Sequence, residues 1–192
     1  MIKTKEGIVQ DKKILVAYFS HPGENAVVGY VDPGNTQLLG REILRVTGGN
    51  EFFINPVNPY PVDYDSTYEK AANEQKYQTR PDYCDDIRVE EYDVIFLGYP
   101  IWCGDLPMVV YSFIEKHNWS GKVVIPFITH EGTGDAGTYD RLKFKMSGAI
   151  LKGGGFNMTG KMARTIEGLQ KLNDWLRSID YNEAMSSANV AY

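Results

Sequence analysis

Three stretches able to do chemistry each follow a short apolar run, the place where a strand hands over to a loop. The first is Ser20, followed after a polar segment by Pro33-Gly34-Asn35-Thr36. Gly34 lets backbone approach closely and the Ser20 and Thr36 hydroxyls can donate to an oxyanion. A helix starting here offers free N–H groups at the positive end of its macrodipole. That outlines an anion site needing no Lys or Arg, although Asn35 or Thr36 as a plain helix cap is the commoner use of such residues. The second stretch is Gly98-Tyr99-Pro100-Ile101-Trp102-Cys103-Gly104-Asp105. An indole held between turn residues either offers a flat face to a planar ligand or packs into the core. The third, Thr129-His130-Glu131-Gly132-Thr133-Gly134-Asp135-Ala136-Gly137, carries a GxGxxG spacing. The acidic residue that a dinucleotide fingerprint needs about twenty positions on is missing, so the fingerprint fails. A loop giving backbone N–H groups to a ring's carbonyls and nitrogens fits as well.

Other chemistries recede. Cys103 without a resolving partner reads as packing before it reads as a reactive thiol. His130 either reaches a ligand or is tied to its own loop, and His21 and His117 earn no role. Three histidines and two cysteines lack metal-ligand spacing, and neither a Walker loop nor a GxSxG elbow occurs. No catalytic side chain and no metal site are assigned. Twenty basic against twenty-five acidic residues give a net charge of −5, which argues against nucleic acid and anionic membranes as partners. With two unpaired-looking cysteines and no apolar run long enough for a span or leader, the expected location is the cytoplasm.

Strands and helices must alternate to deliver these loops. Continuous apolar runs at Ile14 to Phe19, Val94 to Leu97 and Val123 to Ile128 read as strands covered on both faces, with a weaker one over Glu51 to Ile54. A last strand is expected around Ala149 to Leu151, before Gly153-Gly154-Gly155, and Pro126 predicts a bulge or an unpaired segment. Helical spacing marks Leu39, Ile43 and Val46, stopped by Gly48 and Gly49; Leu106, Val109, Val110, Phe113 and Ile114; and Leu169, Leu172, Leu176 and Ile179. Ser66 to Glu69 reads as a capping box opening a surface helix to about Gln78, whose apolar stripe is only Tyr68, Ala71 and Ala72. The 192 residues suit one domain, with residues 180 to 192 fraying. The alternation implies a doubly wound α/β fold with ligands at the carboxyl ends of the strands.

Taken together, "ILVAYFS", "PGNTQLLG", "LGYPIWCGDLP" and "VVIPFITHEGTG" resemble the flavodoxin-like FMN-binding family over roughly residues 13 to 180, in a branch whose phosphate loop is split by the insertion His21 to Asp32. The resemblance implies a three-layer sandwich around a five-stranded parallel sheet in order 2-1-3-4-5. It places FMN at the switch point, with Ser20, Gly34, Asn35 and Thr36 on the phosphate. Pro100, Ile101, Trp102, Cys103 and Gly104 would lie beside the ring, with Trp102 stacking, and Thr129, His130, Glu131, Gly132 and Gly134 would form the third loop. No Tyr precedes Tyr139 in that loop, so one ring face is expected to be open. The implied function is electron transfer to a redox partner protein or a small-molecule acceptor. The rivals are an FMN-dependent NAD(P)H:quinone-type reductase, with NAD(P)H as donor, and a flavin-free binding module on the same fold.

Overall fold

Each continuous apolar run becomes a strand shielded on both faces. In the computed structural model, which describes residues 12–152 and 154–179 and the backbone of 3–4 and 7–8, these are β1 (Ile14–Tyr18), β3 (Val94–Pro100) and β4 (Val123–His130). With β2 (Asn50–Phe53) and β5 (Phe156–Thr159) they form a parallel sheet in spatial order β2-β1-β3-β4-β5. Residues 180–192, expected to fray, and Gly153 lie outside the described residues.

Period two along β1 sorts the core into two layers. Leu15, Ala17 and Phe19 face one side with Val109, Val110 and Phe113 of α3 (Met108–Lys116) and Leu142 of α4 (Thr138–Lys145). Val16 and Tyr18 face the other with Leu39 and Ile43 of α1 (Asn35–Thr47) and Leu172 and Leu176 of α6 (Ile166–Ser178). The doubly wound architecture follows from this two-sided burial. α1 ends as its sequence predicts, with Gly48 left-handed at φ 68° and its N–H bonded to Leu44 O.

Two expectations need correcting. Ala149 to Leu151 is not the fifth strand: Ile150–Leu151 is a two-residue strand on the start of β4, and Phe156–Thr159 pairs with its end. Pro126 makes no bulge, pairing in register with Leu97. The amides of Ile150 and Lys152 donate to Lys122 O and Val124 O, so even-numbered β4 residues face this edge. Pro126 therefore turns its missing donor toward the gap between the two short strands, where no ladder bond is lost.

The predicted capping box also shifts. Ser66 N donates to Asp63 Oδ1 at 2.9 Å, so α2 (Tyr64–Lys76) starts ahead of Ser66. Beyond α2, Arg80 grips Glu115 of α3 through Nε to Oε2 at 2.6 Å and Nη2 to Oε1 at 2.9 Å, and Lys145 of α4 reaches the same carboxylate at 3.0 Å. Chiefly the Arg80 hydrogen bond, with Lys145 behind it, holds the Glu115 carboxyl down to about 2. A depressed folded-state pKa adds stability above the unfolded value that is lost as pH falls through the folded one. Glu115→Gln should cost about 1 kcal/mol or less at pH 7, since the group is over a third exposed. Urea titrations should show that difference shrinking between about pH 4.5 and 2; a constant difference would refute the linkage.

Candidate functional site

The first turn of a helix leaves its leading N–H groups without intrahelical partners. In α1 neither Asn35 nor Thr36 caps that turn, as the simpler sequence reading allowed: the N-cap is Gly34, with no side-chain cap bond. The hydroxyl of Ser20, from the end of β1, instead accepts from Gln37 N at 3.0 Å. That leaves the Asn35 and Thr36 amides pointing out of the helix start. A Cβ on Gly34 would lie 2.4 Å from Ser20 Oγ and 2.5 Å from His21 O, so only glycine permits this approach.

Thr36 and Thr129 join the two halves of the site. Both are buried, and their hydroxyls share one hydrogen bond at 2.7 Å. Two hydroxyls carry two protons and this bond uses one, leaving an unshared buried O–H donor. Asn35 is turned by Arg164, whose Nη1 donates to Asn35 Oδ1 at 2.9 Å and to Pro33 O at 3.0 Å. No local pattern around Arg164 announces this contact across 129 positions of chain.

Ser20, Asn35, Thr36, Pro100, Ile101, Trp102, Cys103, Thr129, His130 and Glu131 line one cleft that opens to solvent. Gly34 and Gly104 do not line it. Gly132 and Gly134 do not face it: their amides donate to His130 Nδ1 at 3.0 and 3.3 Å, so the expectation that this loop presents those N–H groups to a ring is corrected. His130 is thus tied to its own loop, with Nε2–H left to donate to Asn157 Oδ1 at 3.3 Å.

Trp102 sits edge-on against Tyr60 (4.8 Å), Phe19 (5.1 Å) and His21 (5.7 Å), braced by core rings while still bordering the cleft. It takes part in both packing and the site. Its N–H and C=O both bond Asp105, closing a tight turn with Cys103 at φ 50° and Gly104 at φ 72°, the signs of a type I′ turn. Gln75 of α2 donates to the Cys103 carbonyl at 3.3 Å. Burial raises the pKa of the Cys103 thiol, which keeps it a poor nucleophile at neutral pH.

Sequence reasoning missed one wall. Tyr64, Thr67, Tyr68 and Ala71 of α2 line the cleft, as do His21 and Glu24, Asn25 and Ala26 of the insertion, where Gly23–Asn25 pairs with Gly29–Val31 in a hairpin. The i, i+3, i+4, i+7 spacing of the α2 residues is the signal, a faint one because the stripe is short and half aromatic. Among the described residues no group of three or more His, Cys, Asp or Glu could hold a metal ion, and no helix is long and apolar enough to cross a membrane.

A loop-lined cleft at strand carboxyl ends, on the order β2-β1-β3-β4-β5, has its counterpart in known proteins. Residues 13–179 match the family model described as Flavodoxin. The chain belongs to the flavodoxin family. Among solved structures, this flavodoxin-family chain is similar to a protein of Bacteroides eggerthii DSM 20697, provisionally described as a flavoprotein, at 29% identity and TM-score 0.67, covering 86% of this chain and 96% of that one. A second, of Bacteroides uniformis ATCC 8492 and described the same way, shows 25% identity and TM-score 0.70 over 87% and 99%. A flavoprotein of Lactobacillus acidophilus NCFM, crystallised with FMN, shares the fold at 18% identity and TM-score 0.61, over 86% and 99%. No curated protein matches.

Proposed function

We propose that the cleft binds FMN and that this flavodoxin-family protein transfers electrons as an oxidoreductase. The observation that carries the reading is the start of α1. Two free amides and an unshared hydroxyl proton at Thr36 and Thr129, on a helix start that Gly34 lets pack closely against Ser20 and His21, together suit a phosphate monoester. The braced indole of Trp102 borders the same cleft, where a planar ring would lie. The FMN-bound relative from Lactobacillus supports the choice of ligand.

When bound, FMN supplies the redox chemistry, and the protein binds it, orients it and selects what reaches it. Thr36, Thr129 and Ser20 hold the phosphate end, and the Pro100–Gly104 loop holds the ring end. The electron acceptor is a redox partner protein or a small molecule. The α2 tyrosines favour the small-molecule reading: Tyr64 and Tyr68 stack with centroids 6.2 Å apart and border the cleft, a ledge suited to a flat acceptor such as a quinone. NAD(P)H is the candidate donor for that activity. The cytoplasm is the proposed site of action, supported by the free thiols Cys84 and Cys103.

The test is calorimetric and spectroscopic. Purified protein should be yellow and release FMN on heating, and stripped protein should bind FMN at least tenfold more tightly than riboflavin, which lacks the phosphate. No heat on injecting FMN would overturn the reading. Steady NAD(P)H oxidation with a quinone present would identify a reductase, and its absence a carrier.

A further inference from the structure

Glu131 sets a carboxylate against the start of α1. A single Cβ position on Gly160, at the start of α5 (Gly160–Ala163), would touch Asn35 Nδ2 at 2.4 Å and Glu131 Oε1 at 2.5 Å, so these two atoms lie within about 5 Å of each other. Asn35 is the first residue of α1, and both side chains line the cleft. A carboxylate is the wrong charge for a place that should receive a phosphate dianion, because like charges in a partly buried site repel strongly.

The groups around it do not neutralise it. Arg164, in the turn after α5, commits Nη1 to Asn35 Oδ1 and Pro33 O. His130, at the end of β4, gives Nδ1 to the amides of Gly132 and Gly134 and Nε2 to Asn157. Glu24 of the insertion hairpin accepts from Tyr64 N, and His21 packs on Trp102 and Tyr60. Burial alone pushes the Glu131 carboxyl up from its ordinary range.

We propose that Glu131 couples cofactor binding to proton uptake: its carboxylate takes one proton from solvent as the FMN phosphate arrives, and the neutral acid then donates its O–H to a phosphate oxygen. This rests on the FMN reading above. No other bond forms or breaks, and the proton gained offsets one of the two negative charges that the phosphate dianion brings. Glu131 thereby sets how strongly the site prefers a phosphorylated flavin, and makes that preference greatest in acid.

The experiment compares the stripped wild-type chain with Glu131→Gln, which keeps the size and loses the charge. FMN and riboflavin are titrated from pH 5 to 8, with calorimetry in buffers of differing ionisation enthalpy. The phosphate's own titration is common to both proteins and cancels in their ratio. The two should bind FMN equally at pH 5, with Glu131→Gln about tenfold tighter at pH 8, corresponding to a one-unit rise of the Glu131 pKa on binding. Wild type should gain up to about half a proton more than the variant, the most that a one-unit shift allows, and riboflavin affinity should be the same in both, which also reports an intact fold. Glu131→Ala, the second variant, should show the same pH-dependent ratio and the same lost proton. A ratio independent of pH, or proton uptake that persists in the variants, overturns the proposal while leaving FMN binding intact. Absence of FMN binding by the wild type overturns the parent reading itself, and this one with it.

Discussion

Gly34→Ala should abolish measurable FMN binding while leaving the protein folded. The added Cβ falls 2.4 Å from Ser20 Oγ, 2.5 Å from His21 O and 2.8 Å from His21 C. The serine rotor can swing away, but backbone atoms at the end of β1 cannot retreat without shifting the loop. Turning Ser20 also removes the acceptor of the Gln37 amide, disordering the first turn of α1 on which the phosphate would sit. Overpacking of this kind costs about 1–3 kcal/mol of stability. The loss of affinity should be at the upper end of that range or beyond it, at least about 100-fold, since two amides and the Thr36 hydroxyl move together. Fluorescence quenching of FMN measures the affinity and urea unfolding the stability. Gly104→Ala is the control: nothing lies within 4 Å of its added Cβ, so only the positive φ of 72° is strained. Equal losses in the two variants would contradict the steric account.

Gly98→Ala should destabilise the fold more than either Gly34→Ala or Gly104→Ala. Its Cβ would sit 2.1 Å from Phe127 Cζ, 2.4 Å from Phe127 Cε2 and 2.7 Å from Tyr18 Cβ. Phe127 and Tyr18 are fully buried between the sheet and the α1 and α6 layer, so neither ring has room to withdraw. A cost of about 3 kcal/mol is expected. For a chain of this length that is a Tm drop of about 6–12 °C, measured by calorimetry. Phe127→Leu introduced into the Gly98→Ala background should recover part of the loss by withdrawing the conflicting ring. Strict additivity of the two changes would show that they do not share a contact.

Legibility in the sequence followed the range of the force involved. The central strands were readable because burial on both faces leaves unbroken apolar runs, and α1 because Gly48 stops it in the left-handed conformation. β5 was misplaced because Phe156 to Thr159 is half polar and the stronger apolar pair, Ile150–Leu151, lies just before it. Pro126 misled because its harmlessness depends on which way β4 turns its even residues, a property of the sheet and not of the run. At the site, loops after strands were located by topology alone, yet the direction of their amides was not. His130 captures Gly132 and Gly134, a bond decided by side-chain reach. The α2 wall and Arg164 arrive from distant parts of the chain, and only packing brings them there.

The threonine pair at the start of α1 has a consequence for life without cofactor. A pocket that greets phosphate with lysine or arginine is left, when emptied, with cations crowded in a poorly hydrated hollow. Thr36 and Thr129 leave only a neutral rotor that can swing to satisfy whichever guest is present, or a passing water. At the hydroxyl pair itself, therefore, no buried charge has to be compensated for the chain to fold.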